Sequence, residues 1–502
     1  KSFKFNLSIE TQVIILLFIL LFLISASPIT HSDSLDYHLN GALSFLNYGH
    51  FQKEILPMHS ILASVGEIPL SIGLSLGGEQ FGGIIQYASL FSLIPIFFRK
   101  KNKLFLIAIL ACPITLFLVS SPKPQLLFCV TTLLIFIFLI ENFSKLKSKE
   151  IIITYLIGLF LLSITILAKY SFILSSSLLI IYSYLILLRK KIIFTPTILG
   201  LLIFVFTTLP YLYFRYKNFD TSLIHLFLSP LPLNIYGYES MHKLLSGGSI
   251  DILKVIFVKN LGDFSSTYGP LFIILFFLIN KKTLKFKFPL IIVIIFLLFV
   301  FIFGSNLNRF LYEGYLWLIF LVSLTYSEKS IIYKMFSKLV LIQSFIIILI
   351  CLFYISLIFP GSLNKNLKEK VMINNANGYE LAKWTNKKLT KEDILISSHR
   401  SISLFNVETY SSFFTWHIDP QNKQSLRYAN FLKSKKINKI LFYGNEPNEL
   451  EFKIFENCLG KKLFYEENVG RHVGRNPFTK GRYYNAWIYE FKNEYLPDCL
   501  IK

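Results

Sequence analysis

Apolar residues fill the first 360 or so positions in long runs broken by short polar stretches, and the remaining positions abandon that pattern. A membrane span needs roughly 20 predominantly apolar residues. The runs that meet or approach this length lie near 11–29, 80–98, 104–121, 125–140, 151–168, 171–188, 192–214, 266–280, 288–304, 310–326 and 339–359. So many uncharged runs cannot surround one soluble core. They predict a polytopic α-helical membrane domain of about eleven spans over residues 1–359, with long outer loops at 30–79 and 215–265. The stretch 61–78 is apolar enough to pass for a further span. It reads instead as a helix lying in the outer interface, with Glu67 on its polar side. The run 11–24, followed by Ser25-Ala26-Ser27, has the outline of a cleavable signal peptide. The later spans already commit the chain to a membrane, so this run reads as the first wall of the bundle.

After Pro360-Gly361 the apolar runs shorten and Asn, Lys, Glu and Asp rise. The pattern predicts a soluble α/β domain over 360–502: helix 378–389, strand 393–397, helix 424–435, strand 439–443, helix 450–458, and strands 462–466 and 484–491.

The 502 residues carry 51 Lys and Arg against 29 Asp and Glu, a net charge of +22 that by itself invites a nucleic-acid partner. Its distribution excludes one. With the N-terminus in the cytoplasm, the inner segments hold nineteen Lys and Arg, clustered around 99–103, 145–149, 189–191, 281–287 and 329–338. The first outer loop holds only Lys53, and the short outer segments hold only Lys123, Lys169 and Arg309. That asymmetry is the positive-inside rule. It places both long loops and the C-terminal domain on the extracytoplasmic side of a cell membrane, and the Ile-, Lys-, Phe- and Asn-heavy composition suits a bacterial inner membrane. Cys112, Cys129 and Cys351 fall in spans as small apolar residues, whereas Cys458 and Cys499 lie where an outer domain could join them in a disulfide. No zinc-type cysteine spacing occurs.

Candidate chemistry concentrates where the first span ends, in His31-Ser32-Asp33-Ser34-Leu35-Asp36-Tyr37-His38. A carboxylate held there could act as general base on an acceptor hydroxyl. With His31 or His38, the same carboxylates also have the donors for a divalent cation. A solvated loop ending a helix is the plainer alternative. On the same side, Arg309, Lys123 and Lys169 sit in tight turns where fixed cations would stabilise a phosphate leaving group. His59 and Glu67, in the first outer loop, could line an acceptor cleft. The glycine-rich stretch 77–83 lacks the Gly-Lys-Ser/Thr and preceding strand of a phosphate loop. Ser398-His399-Arg400-Ser401 follows a strand and reads as an anion- or carbohydrate-binding loop or, more plainly, a solvated one.

The order of a long first span, an Asp at its outer end, interfacial helices and further outer loops resembles the membrane glycosyltransferases of the GT-C fold. Asp33-Ser34-Leu35-Asp36-Tyr37-His38-Leu39 is similar to the D-(A/S)-L-x-Y-H-L sequence of bacterial glycosyltransferase family 39-like relatives of the protein mannosyltransferases and aminoarabinose transferases. Ser121-Pro122-Lys123-Pro124-Gln125, Tyr268-Gly269-Pro270-Leu271 and Asn308-Arg309-Phe310-Leu311-Tyr312 fit the same picture, as does an outer C-terminal α/β domain. The resemblance implies an inverting transferase that moves a hexose or pentose from a polyprenyl-phosphate donor to a glycan, lipid or protein acceptor. Asp33 would stand as the base, with Asp36, Tyr37 and His38 supporting it. Asp36 matches no common acid of the family, and Gln125 stands where relatives often carry an acid. Two other readings remain open. An O-antigen polymerase or ligase type would rest on Arg215 and His225, and a lipid or solute transporter would need polar residues at mid-membrane depth.

Overall fold

In a medium without water every backbone N–H and C=O must find its partner within the chain, and a helix achieves this within one segment. The eleven expected stretches accordingly carry helix in the computed structural model, which describes residues 7–50, 65–100, 102–219, 252–258, 266–303, 308–412, 423–445, 449–473 and 481–500. Among the described residues, five helical stretches are long and apolar enough to cross a membrane: Phe81–Arg99, Ser148–Ala168, Phe194–Phe214, Thr283–Ile302 and Ile331–Ser362. Ile9–Ser25, Leu126–Glu141 and Ile173–Arg189 are shorter and equally apolar.

The chain divides into two compact units. The first, helical unit comprises Lys1–Ser27, Gln80–Tyr211 and Leu245–Ser362. Its central helix is Tyr312–Ser323, buried at every position, as expected of a helix that is apolar all round. Trp317 stacks on Phe136 of Leu126–Glu141 with ring centroids 5.1 Å apart. Gly314 lets Phe296 and Leu297 approach so closely that a Cβ would lie 2.8 and 2.6 Å from their side chains.

Several expected spans depart from regularity: the stretch 80–98 passes through a 3-10 segment at Leu90–Leu93, and two others are interrupted more strongly. The stretch 104–121 is broken into Lys103–Leu110 and Pro113–Val119, because Pro113 has no N–H to continue the ladder and takes the first helical position instead. The stretch 266–280 contains only the short helix Leu271–Phe277. Gln343 serves both irregularities, its Nε2 donating to Ala111 O at 3.0 Å and to Tyr268 O at 3.1 Å. Gly269 (φ +85°) meets the same amide, and a Cβ there would lie 2.3 Å from Gln343 Oε1.

The second unit gathers Pro28–Glu79, Leu212–Leu244 and Leu363–Lys502. Its described residues form five strands, β1 (Ile394–Ser397), β2 (Glu408–Ser411), β3 (Lys439–Gly444), β4 (Leu459–Arg471) and β5 (Tyr483–Phe491). They are ordered β2-β1-β3-β5-β4, with β1 parallel to β2 and β3, and with β5 antiparallel to β3 and β4. The carboxyl ends of β1 to β4 therefore share one edge. Strand β2 and the helix Lys365–Asn375 were not foreseen; β2 is four residues long and three of the four are polar (Glu-Thr-Tyr-Ser). In the stretch expected to lie as one helix over 61–78, the described residues carry helix over 65–75, and residues 51–64 lie outside the described residues. Leu70 joins Ile29, Leu35, Leu39, Ala42, Met372 and Ala376 in a single apolar cluster.

Cys458 and Cys499 form a disulfide across a sequence separation of 41. In the chain-entropy account a closed loop of this size stabilises by about 4 kcal/mol. The C458S/C499S protein should therefore lose thermal stability in detergent relative to oxidised wild type. An unchanged unfolding midpoint would reject this expectation.

Candidate active site

The residues His31–Leu39 do not form a plain helix start. Ser34–His38 is a π-helical segment in which Leu39 N–H bonds Ser34 O, five residues back, and it leads into the α-helix Leu39–Tyr48. Such segments are uncommon and occur often at functional sites. Asp33 and Asp36 project from it toward the loop that leaves the carboxyl end of β1, an edge where α/β sheets often place their chemistry.

Arg400 of that loop spans both carboxylates. Its Nη2 donates to Asp33 Oδ1 at 3.0 Å and its Nε to Asp36 Oδ2 at 3.1 Å. The Asp36 side chain is 2% exposed and that of Asp33 15%, so Asp33 is the carboxylate with access from outside. Burial pushes the Asp36 carboxyl up to about 7, against the pull of Arg400 and with the charge of Asp33 adding to the rise. Burial works against the Arg400 charge as well, but the Asp36 and Asp33 carboxylates outweigh it and hold the guanidinium above its ordinary pKa.

The loop carrying Arg400 is built rigidly. Ser397 Oγ accepts the His399 N–H at 3.1 Å, His399 Nδ1 accepts the Ser401 N–H at 3.1 Å, and Ser401 Oγ donates to Asn377 O at 2.8 Å. Ser403 Oγ donates to Leu35 O inside the π segment. His399 is buried, and burial, with His472 and Arg400 nearby, pushes its pKa down to about 4. Its ring is neutral at ordinary pH, with the proton on Nε2 because Nδ1 is an acceptor. Gly378 (φ +79°) leaves room for that ring, since a Cβ there would lie 2.0 Å from His399 Cε1.

His38 and Glu67, expected respectively to support the base and to line a cleft, are instead buried against each other, with Nδ1 and Oε1 2.6 Å apart. Tyr37 is also buried, its ring 4.1 Å from that of His38. These residues hold the π segment from beneath. The donor set considered for a divalent cation is engaged by a protein cation, Arg400, and among the described residues no three His, Cys, Asp or Glu side chains converge as a metal set. The loop Ser398–Ser401 is correspondingly neither solvated nor an open anion site. His59 and His225 lie outside the described residues, as does the side chain of Arg215.

In the helical unit, Lys169 Nζ donates to Gln125 Oε1 at 3.0 Å, at the residue that precedes the helix Leu126–Glu141. Lys123 is fully buried two residues earlier, with Nζ 4.9 Å from the centre of the Phe117 ring. The structure thus brings Lys123 and Lys169 to the same helix end. Arg309 lies in the turn Asn308–Leu311 that opens the central helix. That helix also carries Glu313, a buried carboxylate passed over in the sequence, which accepts from Thr132 Oγ1 at 2.9 Å.

The fold is GT-C-like, in a multi-pass membrane protein with a small C-terminal sheet domain. The crystal structure of ArnT from Cupriavidus metallidurans bound to undecaprenyl phosphate matches with a TM-score of 0.55 and 12% identity, over 95% of this chain and 97% of that one. ArnT from the same organism in the apo state matches with a TM-score of 0.58 and 11% identity over the same shares. The chain belongs to the DUF1420 family, matching the DUF1420 N-terminal domain over residues 3–372 and the DUF1420 C-terminal domain over 373–501. Among curated proteins, none matches this chain by sequence.

Two measurements check this geometry. Between about pH 4 and 7 the folded Asp36 keeps a proton that the unfolded chain, at 3.8, has lost. The group therefore stabilises at low pH, and that contribution is lost as the pH rises through 7. The stability difference, wild type minus D36N, should decline from pH 4 to 7, and a flat difference would contradict the buried assignment. G378A combines backbone strain with a collision at His399 and should cost about 2 kcal/mol or more of stability. A thermal midpoint equal to that of wild type would rule out the close approach.

Proposed function

We propose that the chain is an inverting membrane glycosyltransferase that moves a sugar from a polyprenyl-phosphate carrier to a hydroxyl acceptor on the outer side of a bacterial inner membrane, with Asp33 as general base. The observation that carries this reading is a pair of carboxylates fixed by one guanidinium, the outer of them partly open, at the end of the first apolar helix of a GT-C-like chain. The undecaprenyl phosphate bound to the ArnT neighbour supports the choice of carrier.

In the reaction, the acceptor oxygen attacks the anomeric carbon while Asp33 takes its proton. The bond from that carbon to the phosphate oxygen breaks, and the carrier phosphate leaves with the electron pair. Attack from the face opposite the leaving group inverts the configuration. The negative charge that grows on the departing phosphate calls for fixed cations in poorly screened surroundings, and Lys123, Lys169 and Arg309 are assigned that role. Lys123 fits it because a fully buried ammonium is poorly screened by water. Asp36 and Tyr37 support the base through their packing, and the His38–Glu67 pair anchors the segment.

D33N preserves shape and removes the base, whose contribution is about 10²–10⁴-fold. Purified D33N should transfer radiolabelled hexose or pentose from undecaprenyl-phosphate sugars at least about 100-fold more slowly than wild type. A variant as active as wild type would end the assignment.

A further inference from the structure

We infer that Arg400 is a positioning residue for the transfer reaction, the fork that fixes the Asp33 carboxylate relative to Asp36, and that the C-terminal sheet domain is thereby part of the catalytic apparatus. The inference rests on the assignment of Asp33 as base and deepens it.

A guanidinium carries its N–H donors in a rigid plane. Here two of them go to two different carboxylates, Nη2 to Asp33 and Nε to Asp36. Two side chains three residues apart, one just before the π segment and one within it, are therefore set by one planar group, and neither can rotate without breaking a charged hydrogen bond. The platform beneath the fork is fixed from both ends: His399 is seated against Gly378, Ser401 is tied to Asn377, and Ser403 is tied to Leu35. Buried ion pairs contribute little net stability, because desolvation offsets their attraction. Asp36, almost fully removed from water, is a costly way merely to hold a loop. The arrangement makes sense as orientation: a general base must stand within hydrogen-bond reach of the proton it removes, and small displacements reduce the rate strongly. Among the described residues, the titratable groups around the fork include Tyr37, His399 and the His38–Glu67 pair. His399 is neutral, and His38 and Glu67 are engaged with each other. Arg400 is the cation that bonds both carboxylates.

The test uses the full-length protein purified in detergent, as wild type, R400Q, R400K and D33N. Carbodiimide labelling of Asp33, read by peptide mass spectrometry against pH, needs no substrate and reports the protonation and freedom of the carboxyl directly. In R400Q the labelling midpoint should move up by about 1 pH unit or more, since the lost cation had favoured the ionised form. The acid limb of transfer from radiolabelled undecaprenyl-phosphate sugars should move with it, kcat falling about tenfold or more at pH 6 while the KM for donor stays within about twofold. R400K keeps the charge and loses the fork. Its labelling midpoint should stay near wild type while kcat remains low, a split that a merely structural arginine would not produce. If R400Q does not accumulate as folded protein, the R400K split alone decides.

The inference is overturned if both variants keep the wild-type labelling midpoint and acid limb while D33N is inactive, an outcome that leaves the base assignment standing. If D33N transfers sugar as wild type does, the base assignment itself falls, and with it the role given to Arg400. If the wild-type protein transfers none of the probe sugars, the proposed function fails, and an unmoved labelling midpoint in R400Q would then remove the positioning role as well.

Discussion

A carboxylate taken out of water must find a cation or give up its charge. This requirement joins residues 33 and 36 to residue 400, more than three hundred and sixty positions away in sequence. The π segment at the end of the first apolar helix, the loop after β1, the buried neutral His399 and the unusual backbone of Gly378 are all arranged around one guanidinium. Take the guanidinium away and Asp36, with almost no solvent contact, loses the charge that opposes its protonation.

The helical unit obeys the same rule with weaker partners. Where its helices break, at 111–113 and 268–270, the released carbonyls are reclaimed by the amide of Gln343. Thr115 Oγ1 donates to Ile109 O at 2.6 Å across the same break and also meets the Tyr312 hydroxyl. Thr283 and Thr325 pair their hydroxyls at 2.6 Å, and Asn280 caps Thr325 O at 2.9 Å. These contacts let apolar helices deviate from regularity without leaving backbone groups unsatisfied.

Much of this was legible in the sequence for reasons that are local. Apolar runs at 148–168 and 331–358 have no alternative to helix, and strands β1, β3 and β5 carry alternating or continuous apolar stretches between turn residues. Cys458 and Cys499 were the pair outside the apolar runs, and they are bonded. The Asp-x-x-Asp pattern at 33–36 drew attention to the segment that pairs with Arg400, and Arg400 was noticed only as part of a loop. What the sequence could not convey was pairing. Nothing local distinguishes an arginine that faces water from a half-buried one bridging two aspartates, and the His38–Glu67 contact is equally remote at 29 residues' separation. Strand β2 was invisible because its order comes from lying alongside β1, and Glu313 because a single acid in an apolar helix alters the pattern too little. The roles of Asp33 and the cations remain assignments from chemistry, as the sequence first posed them.

The wide turn at Ser34–His38 contains one residue more than an α-helical turn would use. Deleting that residue would restore a regular ladder, which locally is the more comfortable backbone. Each residue of an α-helix advances it by about 100°, so the deletion would swing the whole helix Leu39–Tyr48 through roughly that angle. Leu39 and Ala42 would be carried away from the apolar cluster they share with Leu70 and Met372. The surplus residue is thus held in place from downstream: the packing of a helix that carries no chemistry fixes the frame in which the two acids are read.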